Sequence, residues 1–267
     1  MFMYAVLIVL PFVAMAQVPV PPTPPGFTIG HGSASANVQL EVFVDLLCPY
    51  SKMAYPALKQ LVQHESPDRF RLRVHQFPLP YHHQAFSVAQ ASETISFALG
   101  RETFETWMEA VFEEQDSFGN KVTENQGQKN VTAQIHALAK KTFPNLTDAQ
   151  WADGMTGHGG TDRDDDTRVA WKYACSRGIS GTPMFLLNAV AIDADPAWTY
   201  HDWIEFLKPF LDPPSDTNPR HASIQLDAAA TFVPGISLLS GLVVVVGCVA
   251  VAMSWRFRFR RGYRRLL

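Results

Sequence analysis

The sequence predicts an α/β domain with a long helical insertion, set between an N-terminal signal peptide and one C-terminal membrane-spanning helix. Three observations predict the domain. An apolar, β-branched run leads into Cys48 and Pro49, then into helical and strand periodicity, which together make a β-α-β unit. About a hundred residues of helical spacing follow. A second apolar strand then opens on Gly181-Thr182-Pro183.

The two ends set themselves apart from an otherwise ordinary globular composition. Of the 267 residues, 47% are hydrophobic and 18% charged, and a net charge of −3 leaves no footprint for nucleic acid. Residues 4–16 are apolar, too short to span a bilayer, and end in Ala14-Met15-Ala16, a small-x-small cleavage pattern, so 1–16 reads as a signal peptide. Residues 232–254 carry no charge and are followed by Arg256, Arg258, Arg260, Arg261, Arg264 and Arg265. That pattern predicts a transmembrane helix over 232–255 with a basic cytosolic tail, 256–267. The topology is type I, with the remainder in the secretory lumen or outside the cell. There, Asn130-Val131-Thr132 and Asn145-Leu146-Thr147 are acceptors for N-glycosylation. Three cysteines, Cys48, Cys175 and Cys248, are too few for a disulfide scaffold, so a hydrophobic core must hold the domain.

Between the ends, 17–26 is a proline-rich leader of polyproline type, 27–211 the folded domain and 212–231 a polar stalk. Phe27-Thr28-Ile29-Gly30 reads as a short strand, 32–37 as a loop and 39–44 as the buried strand before Cys48. Apolar residues at Met53, Ala57, Leu58, Leu61 and Val62 have the spacing of an amphipathic helix over 49–64, with a kink expected at Pro56. Residues 69–75 alternate polar and apolar as a strand does. Helices over 84–99, 101–114, 130–141, 148–155 and 164–177 compose the insertion, about 82–177, in which Phe104, Trp107, Met108, Val111 and Phe112 form a core stripe. Residues 178–188 make a helix stop, a tight loop and an apolar strand. A proline has no N–H for a strand ladder, so Pro183 must open that strand, and the Thr182-Pro183 bond is expected to be cis. A last amphipathic helix covers 198–211.

The chemistry concentrates at Cys48. Pro49 suits a first helical turn, which leaves Cys48 near the N-cap, where free amide donors and the helix dipole favour the thiolate. A cysteine packed as a small hydrophobe is the competing reading. Ser51 stands three residues on; its hydroxyl can donate to a Cys48 thiolate but cannot form a disulfide with it. Cys175 reads as a buried structural thiol facing the core, and His82-His83 as an exposed helix start. Asp162, Asp164, Asp165 and Asp166 lack the spacing of a calcium loop and are explained by the dipole of the helix they open, so no metal is expected.

These residues together resemble the thioredoxin superfamily and, within it, the DsbA-like branch: an apolar strand, Cys-Pro-x-x at a helix start, a long helical insertion, then Gly-Thr-Pro and a strand. The matching residues are Asp45 through Ser51 and Gly181 through Asn188, with His82 where that branch often has a histidine. The resemblance implies a thioredoxin-like fold, with catalysis by Cys48 and Ser51 and substrate binding by Pro49, Tyr50, Thr182 and Pro183. Substrates would be cysteine-containing proteins or peptides, with no cofactor apart from glutathione as a candidate co-substrate. Ser51 departs from the second cysteine of dithiol members, which leaves monothiol exchange or isomerisation but not net oxidation by Cys48 alone. Two alternatives stay open: a redox-silent peptide-binding module, and an enzyme like the kappa-class glutathione transferases, whose loop often reads Ser-Pro-Tyr-Ser.

Overall fold

The computed structural model describes Pro21, 23–155 and 162–212. The expected signal peptide, transmembrane span, basic tail and nearly all of the stalk lie outside these residues. Among the described residues no helix is long and apolar enough to cross a membrane.

A five-stranded sheet carries the domain, in the order β1-β3-β2-β4-β5. Strand β1 (Phe27–Ile29) runs antiparallel to β3 (Phe70–Gln76), and β2 (Val38–Val44) pairs parallel with β3. Helix α1 (Pro49–His64) supplies the crossover between those two parallel strands, completing the expected β-α-β unit. It continues through Pro56 as one helix. On its other side β2 pairs antiparallel with β4 (Met184–Leu187), which turns through Asn188 and Ala189, at φ 49° and 67°, into β5 (Val190–Ile192). This two-residue hairpin was not expected, because its turn lacks the glycine that such positive φ values favour.

The insertion comprises α2 (Ala85–Leu99), α3 (Thr103–Glu113), a 3₁₀ turn (Gln115–Phe118), α4 (Asn120–Thr123), α5 (Gln128–Thr142), α6 (Asp148–Met155) and α7 (Asp162–Ser176). Helix α8 (Tyr200–Leu211) closes the domain. It begins after the predicted position because Thr199 caps it: the Thr199 hydroxyl accepts from Asp202 N while the Asp202 carboxylate accepts from Thr199 N.

One face of β2, through Val38, Leu40, Val42 and Val44, joins the main core with α1, α2, α3 and α8. All five members of the α3 stripe are buried there, each such side chain contributing about 1.5 to 3 kcal/mol. On the other face, Phe43 stacks on His75, and Tyr173 of α7 packs over both. A smaller cluster, Phe43, Cys48, Phe77, Leu79, Ala174, Ile179 and Leu186, continues that face up to the cysteine.

Candidate active site around Cys48

The end of β2 is tied down before α1 begins. Asp45, 2% exposed, accepts from Leu47 N (2.8 Å) with one carboxylate oxygen and from Leu79 N (2.9 Å) and His82 Nδ1 (2.7 Å) with the other. Burial pushes its carboxyl upward in pKa, and the three donors pull the other way. The Asp45 carbonyl accepts from Cys48 N at 3.0 Å, closing a tight turn that delivers residue 48 to the helix N-cap. Gln115, from the 3₁₀ turn, donates its side-chain amide to the Leu46 and Cys48 carbonyls at 2.9 and 3.1 Å. Three separate chain segments therefore hold the junction.

The Cys48 thiol caps nothing in its own helix. It donates instead to the Thr182 carbonyl at 3.3 Å, beside the Thr182–Pro183 bond, which is cis as expected. The two sequence motifs thus meet in space, across 134 positions of chain. Residue 48 is only 4% exposed, so in this closed arrangement the sulfur lies beneath its neighbours. Tyr50 and Met53 on α1 and Tyr81 beyond β3 are each more than half exposed. Pro49 starts α1, and Thr182 and Pro183 are half-buried.

Several expectations need correction. Ser51 is 1% exposed and, among the described residues, its hydroxyl meets no hydrogen-bond partner while the Cys48 thiol is turned to Thr182. Cys175 is exposed. The buried stripe of α7 runs through Asp164, Thr167, Ala170 and Ala174, and one residue further on the helix has rotated about 100° out of it. Cys48 and Cys175, the cysteines among the described residues, are both free thiols. His82 is not an exposed helix start but half-buried against Asp45, whereas His83 is exposed. Sequence reasoning noted Asp45 without a role and missed Gln115 altogether. Asn130 and Asn145 both stand on the surface. Among the described residues no group of three or more His, Cys, Asp or Glu is placed to hold a metal ion.

Beside the site, the segment 78–83, Phe86 of α2 and the outer side of α7 enclose a groove of ≈ 380 Å³. Trp171 lies parallel to Phe77 at 5.9 Å and forms part of its floor.

The family model described as thioredoxin matches residues 24–208. The chain belongs to the thioredoxin family. Among solved structures, this thioredoxin domain is similar to DsbA2 of Pseudomonas aeruginosa (TM-score 0.53, 20% identity, 73% of this chain and 100% of that one). It is also similar to a provisionally assigned protein-disulfide isomerase of Pseudomonas syringae (0.56, 18%, 68% and 97%). A third likeness is to a variant of α-DsbA1 of Wolbachia pipientis (0.52, 17%, 71% and 92%). At these identities the likeness is one of fold, and the fold is DsbA-like. Among curated proteins none matches the chain.

Proposed function

We propose that this thioredoxin domain performs monothiol thiol–disulfide exchange through Cys48 on cysteine-containing peptides, outside the cytosol and anchored by residues 232–255. The observation that carries the reading is the 3.3 Å contact between Cys48 Sγ and the Thr182 carbonyl, which sets the sulfur at a helix start and against a backbone edge at once. That contact belongs to the thiol alone, because a thiolate has no proton to donate. Ionisation therefore releases the sulfur from Thr182, and the residues packed around the 4% exposed Cys48 must part for a substrate to reach it.

The thiolate attacks one sulfur of a substrate disulfide, forming a Cys48 mixed disulfide and expelling the other sulfur as a thiolate that takes up a proton. With Ser51 in place of a second cysteine, release needs an external thiol, either another substrate cysteine or glutathione. The first outcome isomerises a substrate; the second returns it reduced and leaves glutathione to be exchanged away. Neither oxidises the substrate in net terms.

Oxidised glutathione offered to the full-length chain tests this. Mass spectrometry is expected to find glutathione on Cys48, removable by reduced glutathione, and the Ser51→Cys variant to expel it by forming an internal disulfide. A Cys48 that never takes up glutathione, in a chain whose exposed Cys175 does, contradicts the proposal. The 4% exposure of Cys48 favours a second reading, a redox-silent module that holds peptides without turnover. Under that reading Cys48→Ser captures partners as well as the native chain.

A further inference from the structure

We propose that the groove between 78–83 and α7 selects substrates whose cysteine is flanked by acidic residues together with an apolar side chain; this inference rests on Cys48 being the reacting group. The groove and the cysteine share one support. Leu79, on the near wall, packs in the same buried cluster as Cys48, and the wall is pinned through Leu79 N and His82 Nδ1 to Asp45, three residues before the thiol. A peptide segment lying in the groove would therefore be held in register with the sulfur.

Its walls have a definite chemistry. Phe86, Trp171 and the two prolines Pro78 and Pro80 give an apolar floor, on which the half-exposed Trp171 offers a broad ring. Every ionisable side chain in the lining is a base: His82, His83, Arg168 and Lys172. Two of them are matched from within, His82 by Asp45 and Arg168 by the buried Asp164 at 2.7 Å. Lys172 meets no acidic partner among the described residues. An ammonium beside an apolar floor, with no carboxylate in the lining, attracts a carboxylate-bearing peptide and repels a basic one.

The test uses the full-length chain in detergent with Cys175 and Cys248 replaced by serine, so that Cys48 is the sole thiol. Two peptides carry the same tryptophan and a cysteine joined to thionitrobenzoate by a disulfide, one flanked by glutamates and the other by lysines. Attack of Cys48 on the peptide sulfur breaks that bond and releases coloured thionitrobenzoate as the better leaving group. Each rate is divided by the rate of the same protein with Ellman's reagent. The glutamate peptide is expected to react about tenfold faster at low salt, with the ratio falling towards one as salt is added. Lys172→Glu is expected to bring the ratio to one or below. Equal rates for the two peptides, with Cys48 still reactive, overturn the groove proposal and leave the exchange chemistry standing. Silence towards both peptides and the small reagent overturns the exchange reading, and the groove proposal with it.

Discussion

Helix α7 lines two hollows, and they differ in what their charges are already doing. Tyr173 and Arg177 line one, of ≈ 580 Å³, with Glu41, Arg73 and Asn188. Arg168, Trp171 and Lys172 line the other, beside Cys48. In the first, Glu41 accepts from the buried His75 at 2.8 Å, Arg73 donates to the carbonyls of Pro24 and Pro25, and Arg177 donates to Ala189 O. Its charges are consumed by the protein, stitching the leader to the sheet through Arg73 and the end of α7 to the β4–β5 turn through Arg177. In the second, Lys172 has no such partner among the described residues. Similar residue types therefore act as mortar at one place and as a recognition surface at the other, and partnership rather than composition separates the two roles.

The sharpest measure of what partnership contributes is Glu93 of α2, a third buried acid whose nearest cation, the Arg101 guanidinium, stands at 4.0 Å. Burial pushes its carboxyl up to about 7. A carboxyl raised in the folded state stabilises the fold below its unfolded pKa, and that contribution is lost as pH rises towards 7. Glu93→Gln is expected to gain up to about 3 kcal/mol over the native chain at pH ~8, read by denaturant unfolding, with little difference at pH ~4.

Next in size, Glu41→Ala removes the acceptor of the buried His75 and is expected to lose about 2 kcal/mol. The pH dependence of this pair has the opposite sign to that of Glu93. The His75 hydrogen bond holds the Glu41 carboxyl below its ordinary value, and burial pushes His75 down. Both groups bind fewer protons folded than unfolded. Their contribution is thus present at neutral pH, begins to fade as pH falls below about 6.5, and is lost further as Glu41 protonates. In the Glu41→Ala variant, melting temperature against pH should keep the loss that begins below about 6.5, because burial alone pushes His75 down further, and should lack the part below about 4.5 that protonation of Glu41 supplies. The smallest effect is expected across α7: Lys172→Ala should change stability by no more than about 0.5 kcal/mol. A loss there equal to that of Glu41→Ala would erase the distinction between the hollows.

Much of this arrangement was legible in the sequence, because β2, α1, β3 and the α3 stripe are written in local periodicity, and Pro183 follows a helix stop at the mouth of an apolar strand. What escaped was decided by long-range or rotational geometry. The tie from Gln115 to Cys48 spans 67 positions and that from His82 to Asp45 spans 37, with no local pattern to announce either. Cys175 misled because Ala170 and Ala174 are the inward residues of a helix whose low hydrophobicity hides which side is buried. The β5 strand has only three residues, too few to show alternation.

The central claim is that Cys48, leaving Thr182, becomes a nucleophile that a partner's sulfur can reach. Non-reducing capture of a disulfide-bonded cysteine peptide by the full-length chain tests it most directly, with Cys48→Ala and Cys175→Ser measured alongside. The account predicts a disulfide-linked adduct with the native chain and with Cys175→Ser, and none with Cys48→Ala. An adduct that survives Cys48→Ala and vanishes in Cys175→Ser would contradict it.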